Sequence, residues 1–319
     1  MPSVTEPHAK PLAAARRAAA IDAGIIGVGY FVAELAGVLL STPNAFLTMW
    51  PPNGLVCAML LRRDRGRWPA ILLATYPANL GFALLYGQPV VVGSVYWVAN
   101  VAEVTLAASV LLRFWPNGLT LREPRQILGL AVATAGAAVV GCSIGAFATS
   151  VWRPETTFDA SAFSWWAADT LGILTFAPIA LTWDHGRGAD GRRAIGREAV
   201  ALIVVLIALA AATIAPIAMG RHDIQIPFPI LVVPLLTWVA LRLGVVATAW
   251  SLLVFNSLTI LRHLHGLGDV FAAGGLTPHN AAALQILLGS LSVTFLAIAA
   301  AAERSRDAVT SLMPREQQR

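Results

Sequence analysis

The chain has 319 residues, of which 57% are hydrophobic and only 12% are charged, and its mean hydropathy is +0.70. This composition excludes a soluble globular protein, because a chain of this length could not remove so much apolar surface from water. The net charge of +5 does not indicate nucleic-acid binding, since the basic residues fall in short loops between apolar segments.

We predict an all-α fold: a polytopic transmembrane helix bundle of about ten spans, with about eight as the lower bound. The apolar runs are continuous and do not alternate, which excludes a transmembrane β-barrel. The tails 1–17 and 303–319 flank one integral membrane domain, 18–302. The predicted spans cover residues 18–40, 45–61, 68–86, 90–112, 126–150, 161–183, 198–219, 227–241, 245–264 and 280–302.

The second predicted span opens with a sequence that is unusual for a membrane helix. Residues 50–55 read WPPNGL, and the span ends in the basic turn RRDRGR at 62–67. Each backbone group freed by proline must find a partner in protein or water, because hydrocarbon offers none. We therefore expect this segment either to pack inside the bundle or to line a wet cavity.

The basic residues predict the orientation of the spans. With the N-terminus in the cytoplasm and ten spans, nineteen Lys and Arg residues lie on the cytoplasmic side and three on the other. Cytoplasmic loops of membrane proteins carry such an excess of positive charge. We therefore predict that both termini are cytoplasmic and that the bundle lies in the inner membrane of a bacterium.

Polar side chains within the spans are the best pointers to function, because they are costly in hydrocarbon. They concentrate in the outer half of the predicted bundle, which suggests a cavity open to that side. Isolated amides often only join neighbouring helices, so this structural role stays open for each of them. The candidate ligand-binding residues are Glu34, Asn53, Asn79, Asn100, Glu103, Asp169, Asn256 and Gln285, with Trp166 and Trp238 as pocket walls.

Four short motifs follow one another along the chain. They are WPPNGL at 50–55 with WPAILL at 68–73 and ANL at 78–80; WAADTLGI at 166–173 with Ala177 and Pro178; residues 228–244, which end in WVALRLG; and Gln285 with AAER at 301–304. Together they resemble the first class of bacterial membrane-associated sensor domains, the MASE group, and the resemblance covers about residues 20–305.

The resemblance implies a signal-input domain. Such domains usually precede a histidine kinase, a diguanylate cyclase or a cyclic-di-GMP phosphodiesterase. No such module follows the last predicted span, so we expect a free-standing member or the sensor part of a longer protein. Either one would need an output module or partner protein, and a homodimer stays open.

The function predicted from the sequence is sensing of a small ligand in an intramembrane cavity, relayed through the last span. A secondary transporter with mid-membrane carboxylates is the alternative, and a membrane enzyme is a weaker one. We found no catalytic motif and predict no enzyme, metal site or cofactor. The sequence does not name the ligand.

Overall fold

The computed structural model describes residues 9–41, 48–183, 197–218, 228–264 and 278–312. Within these ranges the chain is helical and has no strand. A short 3-10 turn at Arg65–Arg67 precedes the third helix. The α-helices are α1 (Ala9–Leu39), α2 (Pro51–Arg62), α3 (Trp68–Leu85), α4 (Val90–Phe114), α5 (Pro124–Trp152), α6 (Phe158–Thr182), α7 (Arg197–Ala218), α8 (Phe228–Leu264) and α9 (Pro278–Leu312).

Among the described residues, six helices are long and apolar enough to cross a membrane. This confirms the prediction of an all-helical, multi-pass membrane protein, while the count of ten spans and the placement of the termini stay predictions. α2 is too short to be one of these six helices, and α6 is not among them either. The six segments are Ala20–Leu39, Arg65–Leu85, Val90–Phe114, Pro124–Trp152, Ile230–Leu264 and Ala281–Val309.

α1 shows how a single helix divides its surface between lipid and protein. Its exposed side chains include Ile21, Ile25 and Val28, while Tyr30 and Glu34 are buried. Side chains four residues apart share one face of a helix, so the polar positions of α1 fall on the face that packs against α2 and α3. The lipid-facing side is aliphatic, as a membrane helix requires.

α2 is an inner helix and not a lipid-facing span. It has 12 residues, so it is about 18 Å long, well short of the roughly 30 Å hydrocarbon core. Pro51 and Pro52 occupy its first turn, where a missing N–H leaves no intrahelical bond unmade. Trp50 and Asn53 are buried with most of the rest of the helix. The WPPNGL segment is therefore packed inside the bundle, one of the two outcomes expected from the sequence.

Two glycines allow α2 and α6 to approach each other closely. The Trp50 N–H donates to the carbonyl oxygen of Ala168 at 3.1 Å, which satisfies one backbone group at the start of α2. A Cβ on Gly54 would lie 2.7 Å from the carbonyl oxygen of Gly172, and a Cβ on Gly172 would overlap the backbone of Trp50. Close contact of backbones through small residues is typical of membrane helix packing.

α8 contains a sharp break in its backbone. It has 37 residues, so as one straight helix it would measure about 55 Å, far more than the hydrocarbon thickness. Gly244 has φ 82° and ψ −169°, a conformation that only glycine adopts readily. The break lies between the eighth and ninth spans predicted from the sequence.

Candidate functional site

A chain of hydrogen bonds joins three helices inside the bundle. The Asn53 amide of α2 donates to Oδ1 of Asn100 on α4 at 3.2 Å, and the Asn100 amide donates to the Tyr30 hydroxyl of α1 at 3.2 Å. All three side chains are buried. Because each amide donates onward in the same direction, the three residues form one continuous polar path from α2 to α1.

Two carboxyl groups lie beside this path. Glu103 of α4 and Asp169 of α6 are close neighbours that interact directly, and the Asn53 side chain also lies beside Glu103. Glu103 is 0% exposed and Asp169 is 1% exposed. We call Tyr30, Asn53, Asn100, Glu103 and Asp169 the polar cluster, and its two carboxyl groups the carboxyl pair.

α5 makes room for the carboxyl pair. A Cβ on Gly141 would overlap Oε2 of Glu103 and would lie 3.1 Å from its Cβ. Cys142, the next residue, interacts electrostatically with both Glu103 and Asp169. Five helices, α1, α2, α4, α5 and α6, therefore meet at the polar cluster.

Several oxygen atoms of the cluster are buried without a hydrogen-bond donor. They are both carboxyl oxygens of Glu103, Oδ2 of Asp169 and Oδ1 of Asn53. Both oxygens of Glu34 on α1 are also without a donor. Buried polar atoms nearly always have partners, so a group of orphaned oxygens indicates a place where something else binds.

The structure brings four of the sequence-predicted residues together: Asn53, Asn100, Glu103 and Asp169. Glu34 lies four residues after Tyr30 on α1 and interacts electrostatically with its hydroxyl, so it belongs to the edge of the same region. The three carboxyl side chains that the sequence placed in spans are all inside the bundle.

The other predicted amides lie elsewhere and join helices. Asn79 donates to the carbonyl of Gly93 at 2.9 Å, which joins α3 to α4. Gln285 donates to the carbonyl of Thr48 at 2.9 Å, which joins α9 to the segment before α2. Both have the structural role that the sequence analysis left open.

Asn256 joins three helices at once. Its amide donates to the hydroxyls of Thr175 on α6 at 2.9 Å and of Ser292 on α9 at 3.1 Å. Thr175 lies six residues after Asp169 on the same helix. Asn256 of α8 therefore connects α6, the helix that carries Asp169, to α9.

The two tryptophans predicted as pocket walls do not enclose the cluster. Trp238 is 44% exposed on the surface of α8, with the Arg242 guanidinium 5.9 Å from its ring centroid. Trp166 donates its indole N–H to the carbonyl of Ala135 at 2.9 Å. It lines a shallow groove of about 430 Å³ between α5 and α6, which Val139, Cys142, Asp159, Ala162 and Phe163 also line.

Sequence analysis missed two members of this region, Tyr30 and Gly141. Tyr30 was within reach, because it lies one helical turn before Glu34 and so shares its face. Gly141 carried no such signal, since α5 is rich in small residues and spacing does not show which of them meets a carboxyl group. Cys142, the residue after Gly141, is buried and is not bonded to another cysteine.

A second polar site lies at the break in α8. Glu303 of α9 accepts a hydrogen bond from the Val245 N–H at 2.8 Å, which caps the helical segment after Gly244. Arg306, less than one turn further along α9, donates to the carbonyls of Leu241 and Arg242 at the end of the segment before it. We call these contacts the α8–α9 clasp.

The described residues contain no group of three or more His, Cys, Asp or Glu side chains arranged to hold a metal ion. The family model named MASE1 matches residues 23–306, which is most of the chain. The chain belongs to the MASE1 family of membrane-associated sensor domains. No curated protein matches the chain, and no solved structure does.

Membership in MASE1 establishes the class of the protein. MASE1 domains are sensor input domains and not an enzyme family, which agrees with the absence of a catalytic motif in the sequence. The match includes both the polar cluster and the α8–α9 clasp. The chain is thus a multi-pass membrane sensor domain, and its polar cluster is the candidate site of that sensing.

Proposed function

We propose that this MASE1 domain binds a small ligand at the polar cluster and relays binding through α9 to a cytoplasmic output module. The sensing domain covers residues 18–302, and the tails 1–17 and 303–319 lie in the cytoplasm. In this proposal ten spans cross a bacterial inner membrane with both termini inside. The output is of the histidine kinase or cyclic-di-GMP enzyme type, and a homodimer is compatible with it.

One observation carries the proposal: three of the four oxygen atoms of the buried carboxyl pair, both of Glu103 and Oδ2 of Asp169, have no hydrogen-bond partner among the described residues. Carboxyl groups are rarely placed inside a membrane bundle without a functional reason. A ligand can change the bundle only if it binds one of two arrangements better than the other. A site formed by five helices can differ in affinity between two arrangements of the bundle, because a shift of any one helix changes the site.

A continuous set of contacts supports α9 as the relay. From Asp169, α6 continues to Thr175, which is bonded to Asn256 of α8, and Asn256 is bonded to Ser292 of α9. Beyond Ser292, α9 reaches the clasp at Glu303 and continues as a helix to Leu312. A movement of α6 at the carboxyl pair is thereby coupled to the helix that leads toward the output.

A fusion protein tests this function. The whole chain is joined after its last residue to the catalytic part of a diguanylate cyclase, and cyclic-di-GMP is measured in cells. Asp169→Asn and Glu103→Gln remove the charges of the pair with little change in side-chain volume, so we expect each to change the output several-fold. Glu155→Gln, at an exposed position outside the helices, is the control.

Equal output from all four proteins, inserted at equal levels, would refute the proposed sensing role of the pair. A fusion could also show no change because the junction does not transmit the signal. Further fusions with one, two and three additional residues at the junction rotate the cyclase relative to α9, so a signal that any of them transmits would reveal a working sensor.

The break in α8 keeps the transporter alternative open, because discontinuous helices form the binding sites of many secondary transporters. In this chain the backbone groups at the break are satisfied by Glu303 and Arg306 and not by a substrate. An uptake assay in proteoliposomes distinguishes a transporter from a sensor. Accumulation of a labelled solute that is lost in Asp169→Asn would establish transport, whereas the sensor proposal expects no uptake.

A further inference from the structure

Four oxygen atoms at the carboxyl pair have no hydrogen-bond donor. Both oxygens of Glu103, Oδ2 of Asp169 and Oδ1 of Asn53 are buried without donors. One N–H of the Asn53 amide donates to Asn100, and its second N–H can serve no more than one of these oxygens. Oxygen atoms that face one another without a hydrogen between them repel, so this arrangement requires a positive species in their midst.

The described residues around the pair supply no positively charged group. The titratable groups that act on Glu103 and Asp169 are the hydroxyl of Tyr30 on α1 and the thiols of Cys57 on α2 and Cys142 on α5. The carboxyl of Glu34 faces Tyr30. In the part of the chain that the structure describes, no arginine, lysine or histidine is among the groups acting on the pair. Two unneutralised carboxylates would be strongly unfavourable here.

The size and chemistry of the site restrict what can fill it. Asn53 and Glu103 are 0% exposed, so the site has no room for a molecule of many atoms. Carboxyl and amide oxygens are hard ligands, which favour a proton or a small ion such as sodium over a soft transition metal. Cys142 lies beside the pair and also lines the α5–α6 groove, which leads to the surface of the bundle.

We propose that Glu103, Asp169 and Oδ1 of Asn53 together bind one monovalent cation, either a proton or a sodium-sized ion. This inference rests on the proposed sensing role and names the class of ligand. The membrane domain would then respond to the proton or sodium concentration on the side to which the site opens. Loading the site neutralises the repulsion within the pair and holds α2, α4 and α6 together, while the empty site favours their separation.

The test uses the purified full chain in lipid nanodiscs and two measurements. Infrared spectroscopy detects the carbonyl band of a protonated carboxylic acid. Thermal unfolding is followed while NaCl replaces choline chloride at constant ionic strength. All proteins carry Glu34→Gln, which removes the third buried carboxyl group and leaves the pair as the source of any buried acid band.

A bound proton gives a carboxylic-acid band that is reduced in both Glu103→Gln and Asp169→Asn and does not depend on sodium. A bound sodium ion gives a midpoint of unfolding that rises with NaCl and saturates, and both variants abolish the rise. Either result supports the inference and tells the two ions apart. Glu155→Gln, an exposed carboxyl, should behave as the parent protein does in both measurements.

A spectrum of fully ionised carboxylates together with no response to sodium would overturn the inference. Both measurements can be read on the Glu34→Gln parent alone, so the outcome stands even where a variant of the pair does not fold. The result is also independent of the cyclase fusion, which reads signalling. A sensor that signals through the pair but binds neither ion would keep the proposed function and refute the cation site.

Discussion

At the scale of single residues, the position of the Glu103 side chain depends on the glycine that faces it. Gly141 of α5 faces Glu103 of α4. Because Gly141 has no side chain, the carboxyl group of Glu103 can occupy the space beside it. A carboxyl group inside a membrane bundle must be held in a particular place, because few positions offer it a favourable environment. Gly141 is thus as much part of the site as the residues that carry oxygen atoms.

Gly141→Ala should therefore destabilise the protein and disturb the carboxyl pair. The added methyl group overlaps Oε2 of Glu103, so either the carboxyl group or α5 must move, which typically costs about 1–3 kcal/mol. Gly136→Ala is a matched control on the same helix, since no atom lies within 4 Å of its added Cβ. Stability is measured by unfolding in mixed micelles, where equal stability of the two variants would contradict the packing described.

Residue-level features differ in how well sequence predicts them. That Glu34, Glu103 and Asp169 point inward follows from the cost of a carboxyl group in lipid, so it could be predicted. Which polar residues meet could not, because that depends on the rotation of each helix and the choice of its neighbours. Asn53 and Asn79 look alike in sequence, yet one joins the carboxyl pair and the other bonds a carbonyl.

At the scale of elements, the break in α8 is stabilised from outside the helix. A helix end leaves N–H groups unpaired at its start and carbonyls unpaired at its finish. Glu303 pairs with an N–H after the break, and Arg306 pairs with carbonyls before it. Each charge also has the sign that the helix dipole favours, negative at a helix start and positive at a helix end.

The clasp was not predicted, although sequence placed both of its halves. The predicted spans 227–241 and 245–264 put a boundary near residue 244, and the motif AAER at 301–304 lies at the end of the last predicted span. These two segments are about 60 residues apart, and nothing in either one indicates that they meet. The contact depends on α8 and α9 lying side by side, which is a property of the folded bundle.

Glu303→Gln should loosen the segment that begins at Val245. The hydrogen bond from the Val245 N–H loses its charged acceptor, and such bonds contribute about 1.5–3 kcal/mol. We expect faster hydrogen–deuterium exchange in a peptide that contains residues 243–248. Asp307→Asn removes an exposed acidic charge from the same helix and serves as the control. Equal exchange in the parent and Glu303→Gln would show that the clasp does not hold the break.

At the scale of the whole molecule, contacts made by basic residues join segments that the predicted topology places on the same face of the membrane. Arg63 and Arg67 of the turn before α3 pair with Asp22 of α1 at 2.9 and 3.0 Å. Arg62 donates to the carbonyl of Ala180 near the end of α6. Each of these contacts joins segments that the charge distribution assigns to the cytoplasmic side.

A contact between α8 and α9 follows the same pattern. Arg306 of α9 bonds the carbonyls before the break in α8, and the charge distribution puts both partners in the cytoplasmic half. The paired segments thus share a face, and the charge distribution predicts that this face is cytoplasmic. If an odd number of spans separated the two partners of any of these contacts, the partners would lie on opposite faces of the membrane.

Cysteine labelling tests this orientation directly. Gly66→Cys, in the basic turn, and Glu155→Cys, between α5 and α6, both replace exposed residues, so a maleimide can reach either one from its own side. In intact cells with a permeable outer membrane, an impermeant maleimide should label position 155 and not position 66. After lysis it should label both. The parent chain is the blank, because Cys57 and Cys142 are buried. Labelling of position 66 in intact cells would place the basic turn outside and reverse the topology, which would also put the exit of α9 on the wrong side for a cytoplasmic output.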